Sequence, residues 1–143
     1  MLKTINGNML VSMMRNAAKN LEVNRARIDA LNVFPVPDGD TGTNMSLTFQ
    51  SAVKEMDTCK NNNLNDLAAS VSKGALKGAR GNSGVILSQI IKGLCSVVKG
   101  VNEIDVKTFI KALASATTTA YKAVAKPKEG TILSVAKAIS ESV

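Results

Sequence analysis

The chain of 143 residues has no histidine and no tryptophan. Without an imidazole it cannot use His-based acid–base catalysis, a Ser–His triad, or the usual zinc and haem ligation. Its two cysteines, Cys59 and Cys95, are too far apart for a metal-binding or redox pair and are read as reduced thiols. Aromatic residues make up 3%, so the core must be built from Leu, Ile, Val, Ala and Met, a composition that favours packed helices over a β-sandwich. The same scarcity removes the stacking platform used by single-strand nucleic-acid binders. No run of residues is read as long enough for a membrane span, and M-L-K-T-I-N-G lacks the apolar core of a signal peptide, so the expected location is cytoplasmic. Acid is the scarcer charge: 11 acidic against 18 basic residues, a net charge of +7. Most of the lysines stand singly between apolar positions, the pattern of solvated helix faces. The functional alternative is a polyanionic partner such as a nucleotide, nucleic acid or acidic protein.

What is present centres on Asn32–Met45, N-V-F-P-V-P-D-G-D-T-G-T-N-M. Pro35 and Pro37 lack amide hydrogens and have restricted φ, which predicts a stiff, extended loop rather than a helix or central strand. Asp38 and Asp40 are one residue apart and repel each other unless a cation lies between them. Hard oxygen ligands at this spacing suit Mg²⁺, which uses one or two carboxylates together with substrate phosphates. A Ca²⁺-binding loop of the EF-hand type is excluded: counting from Asp38, the sixth position is Thr43 rather than Gly and the twelfth is Phe49 rather than Glu. An aspartyl-nucleophile phosphatase would need a strand before the acidic pair, which the two prolines forbid.

About six helices are expected. The first runs from Ile5 to Leu31, with Ile5, Met9, Met13, Ala17, Leu21, Ile28 and Leu31 on its buried face. The second covers Met45–Met56, with Thr41, Thr43 or Asn44 as its cap. A third follows Asn63 or Asn65, with Leu64, Leu67, Val71 and Ala75 inward. Next comes G-A-R-G-N-S-G, Gly78 to Gly84, with Ser83 the expected cap of a fourth helix. A Gly-rich turn opening a helix exposes free amides and the positive end of the helix dipole, a natural phosphate cradle. Its spacing is neither a P-loop nor a dinucleotide-binding fingerprint. Asp105 caps a fifth helix, with Val106, Phe109, Ile110, Leu113, Thr117, Tyr121 and Val124 on one face. K-P-K-E-G-T breaks it, and Gly130-Thr131 opens a sixth. That helix is still in phase at Val143 without a C-cap signal, so the chain is expected to stop inside or just after a helix. In an up-and-down bundle the loops carrying Asp38, Gly81 and Gly130 lie at alternate junctions, at the same end, and can converge on one ligand.

N-V-F-P-V-P-D-G-D-T-G-T-N-M, then G-A-R-G-N-S-G-V-I-L-S-Q, then K-P-K-E-G-T-I-L resembles the N-terminal domain of the fatty acid kinase ATP-binding subunit, related to the nucleotide-binding L subunit of dihydroxyacetone kinases (DhaL-like). The resemblance covers almost the whole chain. It implies an all-α antiparallel barrel of amphipathic helices, with ATP at one end and an acidic loop holding two Mg²⁺ ions. Residues 1–143 would form one such domain, without the C-terminal helices that help to close the family's pocket. By resemblance Asp38 and Asp40 are metal ligands and the catalytic pair. Asn32 stands nearest the third metal-binding Asp of the dihydroxyacetone kinase branch, and Thr41 where that branch has His. Thr41, Thr43, Asn44, Gly81, Asn82, Ser83, Gly84, Gly130 and Thr131 would contact the nucleotide. The implied activity is phosphorylation of a fatty acid to an acyl phosphate. The implied partners are a DegV-like fatty-acid-binding carrier and the remaining domains of the subunit, with a homodimer also possible. The alternatives are a triose-phosphorylating subunit and a non-enzymatic polyanion-binding helical module.

Overall fold

The computed structural model describes residues 2–143, and among them the chain is all-α. Seven helices follow in order: α1 (Gly7–Val23), α2 (Arg25–Leu31), α3 (Thr41–Met56), α4 (Leu64–Lys77), α5 (Gly81–Val98), α6 (Val106–Ala123) and α7 (Ile132–Ser142). The seventh arises because the predicted first helix is two. Asn24 interrupts it, its side-chain amide donating to the Asn20 carbonyl at 2.8 Å, and a side chain that bonds the local backbone competes with the helical ladder. Ile5 is outside the helix altogether, paired in a short antiparallel bridge with Ile104, while Asn6 caps α1 through the Met9 amide.

The core lies along three contacts. Ala52, Met56, Leu67, Val71, Ala75, Leu87 and Ile91 join α3, α4 and α5. Leu64, Ala68, Val98, Ile104 and Ala112 join α4, α5 and α6 near the Ile5–Ile104 bridge. Ile86, Ala120 and Leu133 join α5, α6 and α7. Helix α5 packs against α3, α4, α6 and α7. Its 18 residues, at a mean hydropathy of 1.2, have the length and apolarity of a membrane span, contrary to the sequence expectation. Its place among four other helices accounts for that apolarity.

Two predicted faces differ from those observed. On α1, Met13 is exposed, while Leu10, Val11 and Met14 pack on the core. On α6, Val106, Phe109 and Ile110 are exposed, and Ala112, Ala116 and Ala120 are buried instead. The reason is size. Gly93 of α5 lies directly against the backbone of Ala116, so α6 turns its small residues toward α5 to allow the close approach.

Candidate functional site

One cavity of about 390 Å³ collects all three unusual loops. Asn32, Asp38, Asp40, Thr41 and Asn44 come from the first, Gly81, Asn82 and Ser83 from the second, and Thr131 from the third. These are the loops before α3, α5 and α7, so the starts of these three helices share one end of the bundle. Ile86 and Leu133 of the third core contact form part of the wall.

The first loop is held from α2. Asn32 Oδ1 accepts the amides of Asp40 and Thr41, each at 3.2 Å, and its Nδ2 donates to the Val36 carbonyl at 3.0 Å. Asp29 accepts the Thr43 amide at 2.9 Å and the Thr43 hydroxyl at 2.6 Å. That hydroxyl bond, followed by the amide bond, holds the Asp29 carboxyl below the ordinary carboxylate range. The start of α3 is therefore capped by Asn32 and Asp29, not by Thr41, Thr43 or Asn44 as predicted. Gly39 takes φ of +67° between the two acids, a conformation that glycine adopts without steric cost.

Asp38 and Asp40 both face the cavity. Loss of surrounding water, then the hydrogen bond and the negative charge of Asp40, push the Asp38 carboxyl above its usual range. A cation between Asp38 and Asp40 would relieve the strain on the Asp38 carboxylate. No group of three His, Cys, Asp or Glu side chains exists among the described residues, so further ligands for a cation would have to come from a bound molecule or water. Asn32 could join only by giving up its amide bonds.

The second loop offers amides. Among the described residues, the backbone N–H groups of Gly81, Asn82 and Ser83 have no intramolecular acceptor. Helix α5 starts at Gly81, two residues before the predicted Ser83 cap, with Arg80 at the cap position and its amide donating to Thr48 Oγ1 at 3.1 Å. Gly81 (φ +65°) lies against the Asn44 side chain, and Gly84 is buried against Thr48. These contacts bring the start of α5 beside that of α3. In the third loop Thr131 caps α7 through the Leu133 amide and donates its hydroxyl to the Lys128 carbonyl at 2.8 Å. Gly130 (φ +78°) borders the Phe34 ring of the first loop. Of the expected ligand-contacting residues, Thr43, Gly84 and Gly130 are not on the cavity wall. Thr43 is engaged by Asp29, and Gly84 and Gly130 shape the wall from behind. Lys126, Lys128 and Phe34 line it without having been singled out. The K-P-K spelling was the available signal for the lysines.

A helical bundle with carboxylates, free amides and helix starts gathered at one end is an arrangement suited to an anionic ligand and a cation. The family model described as DAK2 domain matches residues 35–143, and the chain belongs to that family, whose kinase-related, dihydroxyacetone-kinase-L-like domains bind nucleotide. Over 137 residues it is 50% identical to an uncharacterized protein of Staphylococcus epidermidis and 49% identical to one of Staphylococcus aureus. Each alignment takes in 96% of this chain and 25% of the relative. The chain thus spans about a quarter of the length of the curated relatives it matches.

Proposed function

We propose that this chain is the Mg·ATP-binding part of a kinase, and that the acceptor is a fatty acid carboxylate held on a separate DegV-like lipid-binding protein. The observation that carries the nucleotide reading is the one cavity whose wall holds both Asp38 and Asp40 and the three residues with unpartnered amides at the start of α5. Asp38 and Asp40 would hold Mg²⁺, and the family's two-ion arrangement fits a site whose remaining ligands are phosphate oxygens. When bound, Mg²⁺ would supply positive charge to the phosphoryl group being transferred. The chain's own contribution is positioning. Asn32 holds the acidic turn at the backbone, the amides of Gly81, Asn82 and Ser83 receive phosphate oxygens, and Thr41, Asn44 and Thr131 border the nucleotide. The cytoplasm is the compartment that supplies ATP.

The missing histidine favours a carboxylate acceptor. A fatty acid is already ionised at neutral pH and attacks without a general base, giving an acyl phosphate. A triose hydroxyl must lose a proton, and this chain has no imidazole to take it. The triose kinase is the second reading, and following labelled phosphate from ATP onto one acceptor or the other separates the two. Nucleotide binding is tested by calorimetry of a non-hydrolysable ATP analogue with and without Mg²⁺. Replacing Asp38 and Asp40 together by Ala should abolish the Mg-dependent part of the affinity. Unchanged affinity would refute the assignment.

A further inference from the structure

We propose that Lys126 and Lys128, on the loop between α6 and α7, are phosphate-gripping cations of the cavity they share with the acidic turn, a role that rests on the nucleotide reading above. Both line the same cavity as Asp38 and Asp40. Neither is in an ion pair among the described residues, where the three pairs are Arg15–Asp57, Arg25–Glu22 and Lys73–Glu55. The carboxylate nearest in sequence, Glu129, is engaged elsewhere: it accepts the Tyr121 hydroxyl at 3.2 Å and the Ser134 hydroxyl. The lysines and the acids thus share a cavity without neutralising each other, which leaves room for a ligand carrying negative charge toward both a metal and the ammonium groups.

The loop is built to keep the lysines there. Pro127 restricts the backbone between them. The Thr131 hydroxyl holds the Lys128 carbonyl, and the Gly130 amide donates to Ser134 Oγ at 2.9 Å. Glu129 ties the same loop back to α6 through Tyr121. An exposed loop with no such ties would let two long side chains wander, at a cost in entropy on each binding event. Ammonium groups act on phosphate as point charges and lose strength with salt.

The experiment measures binding of ATP, ADP and AMP in the presence of Mg²⁺ to the wild-type chain, to K126M/K128M and to K126R/K128R. Met keeps the length of the stem and removes the charge. The double Met variant should lose about tenfold or more in ATP affinity, lose less for ADP, and leave AMP within about twofold. It should also bind ATP with a weaker dependence on salt. The Arg variant should restore most of the affinity. ATP binding by the Met variant as tight as wild type, with the same salt dependence, overturns the proposal while leaving the nucleotide site standing. Equal losses for ATP and AMP also overturn it, because they indicate a structural role for the loop. A wild-type chain that binds no nucleotide overturns the underlying reading, and the proposal with it.

Discussion

Gly93→Ala tests which face of α6 is buried. A Cβ at position 93 would lie 2.6 Å from both the Ala116 Cα and the Ser115 carbonyl oxygen. Both are backbone atoms, so neither can rotate away. Carbon–carbon contact is comfortable from about 3.5 Å, so α5 and α6 would have to separate by roughly 1 Å, and a gap of that size forfeits a quarter to a half of the dispersion energy it opens. Overpacking of this kind costs about 1–3 kcal/mol. The upper figure applies here, because the contact runs along most of α6: Ala112, Ala116 and Ala120 are each at most 3% exposed. Greater helix propensity returns about 1 kcal/mol for Gly to Ala. The net loss of about 2 kcal/mol corresponds to a fall in Tm of about 4–8 °C for a chain of this size, read by circular dichroism during heating. Phe109→Ser, on the opposite, exposed face, should cost well under half as much. If Gly93→Ala melts at or above wild type while Phe109→Ser collapses, the aromatic stripe is the packed face and the alanine packing described above is wrong.

Asn32→Ala removes the acceptor for the Asp40 and Thr41 amides and the donor to Val36. It should cost about 1–3 kcal/mol in thermal unfolding and weaken Mg-dependent nucleotide binding, and an unchanged melt would show that Asn32 does not brace the loop. The acidic side chains give two pH dependences of opposite sign. Asp29 is held low by the Thr43 hydroxyl, and Asp105 by the Thr108 amide. Their stabilisation is complete above the ordinary carboxylate range and is lost as pH falls below about 4 toward their folded values. Asp38, raised by lost hydration and by Asp40, binds its proton more tightly when folded, so stability falls as pH rises from the ordinary carboxylate range through its folded value. Asp38→Asn should therefore stabilise the metal-free chain at neutral pH while weakening Mg-dependent nucleotide binding. A lower Tm for that variant would contradict the repulsion.

Much of this was readable from local chemistry. The stripe Leu64, Leu67, Val71 and Ala75 is buried as expected, because α4 is packed by large apolar residues at helical spacing. Asp105 caps the helix it was expected to cap, Asn63 is the one of the two candidates that caps α4, and Thr131, expected to open the last helix, caps it. The convergence of three loops followed from counting helices, and splitting the first helix at Asn24 did not disturb it, because α1 and α2 both precede the acidic loop. What the sequence hid depends on partners remote in the chain. Hydrophobicity favoured Val106, Phe109 and Ile110 as the inner face of α6, and only the closeness of Gly93 on α5 shows why three alanines win. Nor does local spacing show that the start of α3 is capped by Asn32 and Asp29, 8 to 14 residues earlier in the chain.

That remote capping bears directly on the chemistry. Aspartate is a favoured N-cap, and a capping side chain contributes about 1 kcal/mol to its helix. Asp40 occupies the N-cap position of α3, yet its side chain makes no capping bond. Had it folded back onto the Thr43 amide, its carboxylate would be partly satisfied and turned away from the cavity. Asp29 takes that amide instead, and Asn32 takes those of Asp40 and Thr41. The helix is capped by α2 and its C-terminal flank, leaving Asp40 free of a capping bond and beside Asp38 on the cavity wall. The cost appears as the Asp38 carboxyl, raised first by lost hydration and then by the hydrogen bond and charge of Asp40. Keeping the Asp38 carboxyl dehydrated beside Asp40 while α3 is capped from α2 is costly for a folded chain with nothing bound. On the nucleotide reading proposed above, a divalent cation and its phosphates lying between the acidic turn and the free amides of α5 would offset that cost.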